Sequence, residues 1–273
     1  MKRRKKFKKN WLIACVSALV LTAVGGVLAL LFLPSAPESN EPKKLDAPTN
    51  LEYTINLTTT KKTEYILSWS FVKRATGYEI SVSTEGETPQ KERVDIYTSE
   101  YDIANLLTAG ESNTVSVTAL GDEDYANSEV ATISIEAEEV TTGLSYKSIK
   151  GGYEVSRGNA GYSSRIVIPD SYDGFPITKI ADNAFGALMS GDSLMESVRL
   201  PSKLQETGEF AFANCSSLKE VDLPETAVTL GAQTFRECTA LESVRLPSEL
   251  KILPMNFFLG CSLLGNVVVP EKI

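Results

Sequence analysis

The sequence predicts a mainly β, multidomain chain: a membrane-spanning helix, then an antiparallel β-sandwich, then a solenoid of short parallel strands. Three observations predict it. Trp11 to Leu33 is an uncharged run of 23 residues; residues 49–136 carry short stretches of period two; and the last third repeats itself every 23 residues. These three patterns call for a spanning helix, half-buried strands and stacked coils, in that order.

The N-terminus fixes the expected topology. Lys2, Arg3, Arg4, Lys5, Lys6, Lys8 and Lys9 form a basic tail over residues 1–10, and the first acid is Glu38. A 23-residue helix rises roughly 34 Å, enough to cross a hydrocarbon core of about 30 Å. Basic flanks stay in the cytoplasm, so an anchor at 11–33 places the rest of the chain outside the cell. The rival is a cleaved signal peptide and a secreted protein. Its apolar region is usually about 7–15 residues, and a cut at Ala23-Val24-Gly25 leaves an apolar new N-terminus. Residues 34–48 hold Pro34, Pro37, Pro42 and Pro48 among polar residues, a composition that forms an extended tether.

Strands follow. Tyr65, Leu67 and Trp69 alternate with polar or outward positions, as do Tyr78, Ile80 and Val82, then Val115, Val117 and Ala119, then Ala131, Ile133 and Ile135. Such strands within 49–136 predict a sandwich. The order Ala47-Pro48-Thr49-Asn50-Leu51, Leu67-Ser68-Trp69-Ser70, Gly77-Tyr78-Glu79-Ile80 and Val115-Ser116-Val117-Thr118-Ala119 resembles a fibronectin type III domain. Asn113 stands where that family has a corner tyrosine, which puts the corner hydrogen bond in doubt. The resemblance implies a spacer or binding module.

Residues 137–143 belong to an acidic joint. The stretch 144–155 alternates around Gly151-Gly152, a hairpin signal, and is expected to cap the first coil. From there to residue 273 the chain repeats. Pro201, Pro224, Pro247 and Pro270 are each 23 residues apart, as are Phe212, Phe235 and Phe258, and Cys215, Cys238 and Cys261. Pro169 lies 32 residues before Pro201, which two insertions explain: five residues around Ser171–Phe175 and four between Phe185 and Met195. The recurring P-x-x-(apolar)…F-x-x-C-x-x-L-x-x-V-x-(L/V)-P, with the entry at 167–185, resembles the BspA-type leucine-rich repeat of bacterial surface proteins. That resemblance covers 144–273 and implies a fold and a surface habit, without a ligand.

Composition excludes much chemistry. The chain has no histidine, which removes Ser-His-Asp and Cys-His catalysis and every histidine metal site. No catalytic residue, metal site or cofactor is expected, and no enzyme activity. Beyond residue 37 the balance is twenty basic against 35 acidic groups, −15, which argues against nucleic-acid binding. The cysteines fall at one point of successive coils and are expected to be free buried thiols rather than metal ligands. The acidic loop 121–127 is expected to be a solvated turn.

The informative polar pattern lies on the repeat strands. Val167, Arg199, Asp222, Arg245 and Val268 sit between inward apolar residues and are expected to face outward in a row; Glu196, Lys219 and Glu242 form a second row. Adjacent strands bring opposite charges side by side. A self-satisfied charge ladder and a ligand face explain the rows equally well, and no aromatic residue lies in them to stack on a sugar. The expectation is a surface interaction or adhesion protein whose solenoid meets a protein or extracellular-matrix partner. Two alternatives stand beside it: an architectural protein that self-associates through an uncapped C-terminal coil, and an accessory module of a surface enzyme.

Overall fold

The computed structural model describes residues 42–161, 163–186 and 194–268, so the basic tail and the expected membrane helix at 11–33 lie outside the described residues. Among the described residues there is no α-helix, and no helix long and apolar enough to cross a membrane.

The first strands are the two-residue β1 (Lys43–Lys44), then β2 (Glu52–Leu57), β3 (Thr63–Ser68), β4 (Gly77–Thr84), β5 (Gln90–Asp95) and β6 (Glu100–Asp102). A short 3-10 turn, Ala104–Leu106, leads to β7 (Ser112–Leu120), β8 (Tyr125–Ala126) and β9 (Ala131–Glu136). Strands β2, β3 and β6 pair antiparallel on one side, and β5-β4-β7-β9 form the other sheet. Alternate residues point between the sheets, so Ile55, Leu67, Tyr78, Ile80, Val115 and Val117 make one buried core. This three-plus-four antiparallel arrangement is the sandwich that the resemblance to a fibronectin type III domain implies.

Asn113 replaces the corner tyrosine in more than position. It is fully buried; its Nδ2 donates to the carbonyls of Thr108 (3.0 Å) and Glu111 (2.9 Å), and its Oδ1 accepts from Thr108 N (2.9 Å) and the Thr84 hydroxyl (3.0 Å). An amide can both donate and accept, so a shorter side chain ties the corner with more bonds than one phenol makes.

The expected tether is shorter than 34–48. Leu45 is buried in the sandwich, and β1 pairs with β8 inside the 121–127 loop. The leucine plugs the end of the core, which a solvated tether residue does not do. Within the same loop the Asp122 side chain accepts from Asp124 N and Tyr125 N, a local turn that satisfies its carboxylate.

The repeat region opens with a hairpin, β10 (Ser145–Ile149) and β11 (Gly152–Ser156), turning at Gly151 with φ of 91°. Then come β12 (Arg165–Val167), β13 (Ser171–Tyr172), β14 (Phe175–Ile180), β15 (Ser197–Arg199), β16 (Glu206–Thr207), β17 (Glu220–Asp222), β18 (Ser243–Arg245) and β19 (Asn266–Val268). Strands β12-β15-β17-β18-β19 stack in parallel, one per coil. Identical residues therefore meet above one another. The Phe185, Phe212 and Phe235 rings stack at 5.4 Å, and Phe235 meets Phe258 at 6.1 Å. Cys215, Cys238 and Cys261 each donate to the carbonyl of a Phe in the preceding coil, at 3.4, 3.2 and 3.0 Å. Cys215 and Cys238 are buried as expected, whereas Cys261 is half-buried. Gly208 and Gly231 stack so closely that a Cβ on either would meet backbone at 2.3–2.4 Å. Only glycine permits that approach.

The two parts share one sheet. The insertion around Ser171–Phe175 is the hairpin β13–β14, and β13 pairs in parallel with β2 of the sandwich. Strand addition to an open edge protects it and joins the two bodies through main-chain hydrogen bonds. The β11 strand pairs with β14 on its other side, so the sheet runs unbroken from the opening hairpin through β13 to β3 and β6. The acidic joint 137–143 is likewise packed: Val140 is buried, and the Tyr65 hydroxyl donates to Glu138 O at 2.6 Å.

Candidate functional site

The outer face of the five parallel strands is built by alternation. Ile166, Val221 and Val244 point inward and are buried, so their neighbours on each strand point out. Those neighbours form two rows, Arg165, Ser197, Glu220 and Ser243, and Val167, Arg199, Asp222 and Arg245. Glu196, Lys219 and Glu242 lie beside them, linked by backbone bonds from Lys219 N to Glu196 O (3.1 Å) and from Glu242 N to Lys219 O (2.8 Å).

The first two coils of this face are not open, contrary to the expected row. Val167 is 3% exposed. The joint covers it: Thr141 N donates to Val167 O, and Val167 N donates to the Thr141 hydroxyl at 2.8 Å. The Arg199 side chain is 19% exposed, with Nη2 on the Asp170 carboxylate at 2.8 Å and Nη1 on Ile168 O at 3.0 Å. The 137–143 joint lies beside both positions: Thr141 covers Val167, and Glu138 approaches Arg199 Nε at 4.0 Å.

From the third coil on, the face is exposed. Lys219 Nζ pairs with Glu196 at 2.7 Å, which raises the lysine pKa by hydrogen bond and then by charge. Asp222 and Arg245 approach to 3.8 Å with side chains 82% and 67% exposed. Pairs this exposed contribute little stability. Glu220 and Glu242 are exposed and make no ion pair with any described residue. Glu196, Lys219, Glu220, Asp222, Glu242 and Arg245 thus carry four acids against two bases. A shallow groove of about 350 Å³ runs among Glu196, Ser197, Lys219, Glu220, Glu242 and Ser243. Among the described residues no group of His, Cys, Asp or Glu is arranged to hold a metal.

Asp170, Arg165 and Glu220 escaped the sequence reading. For Asp170 a signal existed. The residues after Pro169, Pro201, Pro224 and Pro247 alternate acid, serine, acid, serine. In the structure Asp170 Oδ1 accepts from Ser202 N at 2.6 Å, and Glu225 Oε2 accepts from Ser248 N at 2.7 Å.

Residues 178–273 match the BspA type leucine-rich repeat region, in six copies. No curated protein matches the chain. Among solved structures, the chain is similar to the leucine-rich repeat protein of T. pallidum at 24% identity, over 49% of this chain and 84% of that one, with a TM-score of 0.33. A leucine-rich cell surface protein from Faecalibacterium prausnitzii is 23% identical over 48% of this chain, which spans 40% of that protein, with a TM-score of 0.35. On the sandwich side, a fibronectin type III domain of human collagen XX is 21% identical over 34% of this chain and 94% of its own, with a TM-score of 0.26.

Proposed function

We propose that this is a non-catalytic cell-surface interaction protein. Residues 11–33 anchor it, the sandwich and repeats lie outside the cell, and the outer strand face meets a protein partner. The observation that carries the reading is the pair of exposed carboxylates, Glu220 and Glu242, which flank Lys219 on a polar strand face and make no ion pair within 4 Å among the described residues. Stacked-coil repeats bind through such strand-borne rows. Main-chain rungs hold these side chains in register, so a partner meets a preorganised charge pattern. Arg199 drops out of the expected set because Asp170 holds it, which leaves Glu196, Lys219, Asp222, Glu242 and Arg245, joined by Glu220.

A partner for this face offers basic groups opposite Glu220 and Glu242, and binding weakens as salt rises. The experiment is binding of the full chain to cells or matrix, with Glu220→Lys/Glu242→Lys compared against Arg245→Glu. The acid reversal abolishes binding if the reading holds. Binding unchanged by either reversal, but lost when loop 121–127 is replaced, transfers recognition to the sandwich. A second reading, self-association, is favoured by the exposed apolar side chains of Ile252, Met255, Leu259 and Leu263. It requires an oligomer that Met255→Lys dissolves.

A further inference from the structure

Where the sandwich meets the opening hairpin of the repeats there is a cleft of about 370 Å³, apart from the strand face. Four segments wall it: the β2–β3 turn with Thr59, Lys61 and Thr63, the joint with Val140 and Thr142, β10 with Tyr146, and the β13 hairpin with Tyr172; Asn159 closes the rim. Clefts of this size at the meeting of two domains are the usual place for small-ligand sites. Its chemistry differs from the rest of the surface. In a chain this acidic, the lining contains no carboxylate, and its single charge is Lys61. The neighbouring cleft on the other side of the joint, by contrast, is lined by Glu111, Glu136, Glu138 and Glu139.

Hydroxyls dominate the lining, and many are unused. The side chains of Thr59, Lys61, Thr63, Thr142, Asn159 and Tyr172 make no hydrogen bond to any described residue. The Tyr146 hydroxyl is buried without a partner among the described residues, which is costly for a phenol. Beneath the hydroxyls the wall is apolar and aromatic, with Leu57, Val140 and Leu144 beside the stacked Tyr146 and Tyr172 rings, 4.2 Å apart. The aromatic groups missing from the strand rows are gathered here.

We propose that this cleft binds a saccharide carrying a carboxylate, such as a uronic-acid unit of a surface polysaccharide. A sugar presents hydroxyls that give and take hydrogen bonds and C–H faces that pack on apolar and aromatic walls, which is the complement of this lining. Lys61, exposed at the rim with a φ of 64°, accepts the carboxylate as its counter-ion. The absence of lining acids removes the repulsion that the rest of the surface imposes on an anionic sugar.

The test uses the full chain in a sugar-free detergent, titrated with a glucuronate-containing disaccharide and its neutral counterpart, and read by calorimetry and saturation-transfer NMR. The uronate sugar binds with a Kd of roughly a millimolar or below, about tenfold tighter than the neutral one, as one charge-assisted hydrogen bond allows. Lys61→Asn, which suits the positive φ, removes the tenfold preference and leaves neutral-sugar binding in place. Asn159→Ala, at an exposed rim position, weakens both. No binding of either sugar at about twenty times that concentration overturns the proposal, as does a folded Lys61→Asn protein that keeps its preference for the uronate.

Discussion

The Arg199 guanidinium sits 2.8 Å from the Asp170 carboxylate, at a junction where the same carboxylate also accepts Ile55 N of the sandwich at 2.7 Å and Ser202 N of the next coil at 2.6 Å. One side chain, 3% exposed, therefore binds the sandwich, its own coil and the following coil together. The added strand β13 supplies the main-chain part of the joint, and Asp170 N donates to Ile55 O at 2.7 Å beside it. The repeats are thus joined to the sandwich through a continuous sheet rather than through a loose linker.

Removing that carboxylate tests the coupling. Asp170→Ala leaves the buried Ile55 N–H and the part-buried Ser202 N–H without their acceptor and removes the carboxylate from the Arg199 guanidinium, a loss of about 3–5 kcal/mol. The expected result is two denaturation transitions in place of one, the sandwich followed by Trp69 fluorescence and the repeats by circular dichroism. A single transition at the wild-type midpoint contradicts the role given to Asp170.

The Asn113 corner makes a second prediction. Asn113→Ala removes five side-chain hydrogen bonds from a fully buried position and leaves Thr108 N unsatisfied. The expected cost is about 2–3 kcal/mol, measured by urea denaturation, with the strand face unaffected.

The thiols differ in accessibility. Burial pushes the Cys238 thiol pKa well up, and burial is also the main cause of the rise at Cys261, which is only half-buried. A neutral, buried thiol does not react with alkylating reagents. In native protein at neutral pH, Cys261 labels first and Cys215 and Cys238 stay protected until denaturant is added. Equal labelling of all three is inconsistent with the stacking described.

Alkaline pH probes the joint. Burial raises the Tyr65 phenol to about 12, and its hydroxyl donates to Glu138 O. The folded state holds this proton where the unfolded chain, with a phenol near 10, has lost it. The contribution of this phenol to stability is therefore complete below about pH 10 and falls as pH rises from there through 12. Tyr65→Phe is less stable at neutral pH but shows a shallower alkaline decline. Tyr146 and Cys238 are raised in the same direction, so the decline shrinks without vanishing.

Much of this protein was determined by local sequence. Period two marked the sandwich strands because successive side chains on a strand face opposite sides. The 23-residue spacing of Pro, Phe and Cys foretold rings and thiols stacked coil on coil, because identical positions in successive coils share one environment. What tertiary structure alone decided is which outward residues stay outward. Arg199 and Arg245 occupy the same position of the same pattern, yet one is held by Asp170 and the other is 67% exposed. Val167 likewise has the spacing of a surface residue and the burial of a core one. The difference lies in contacts made by other segments: Thr141 of the joint covers Val167, and Asp170, itself fixed by Ile55 of the sandwich, holds Arg199. Periodicity records which side of its own strand a residue faces; it carries no information about what the rest of the chain lays across that side.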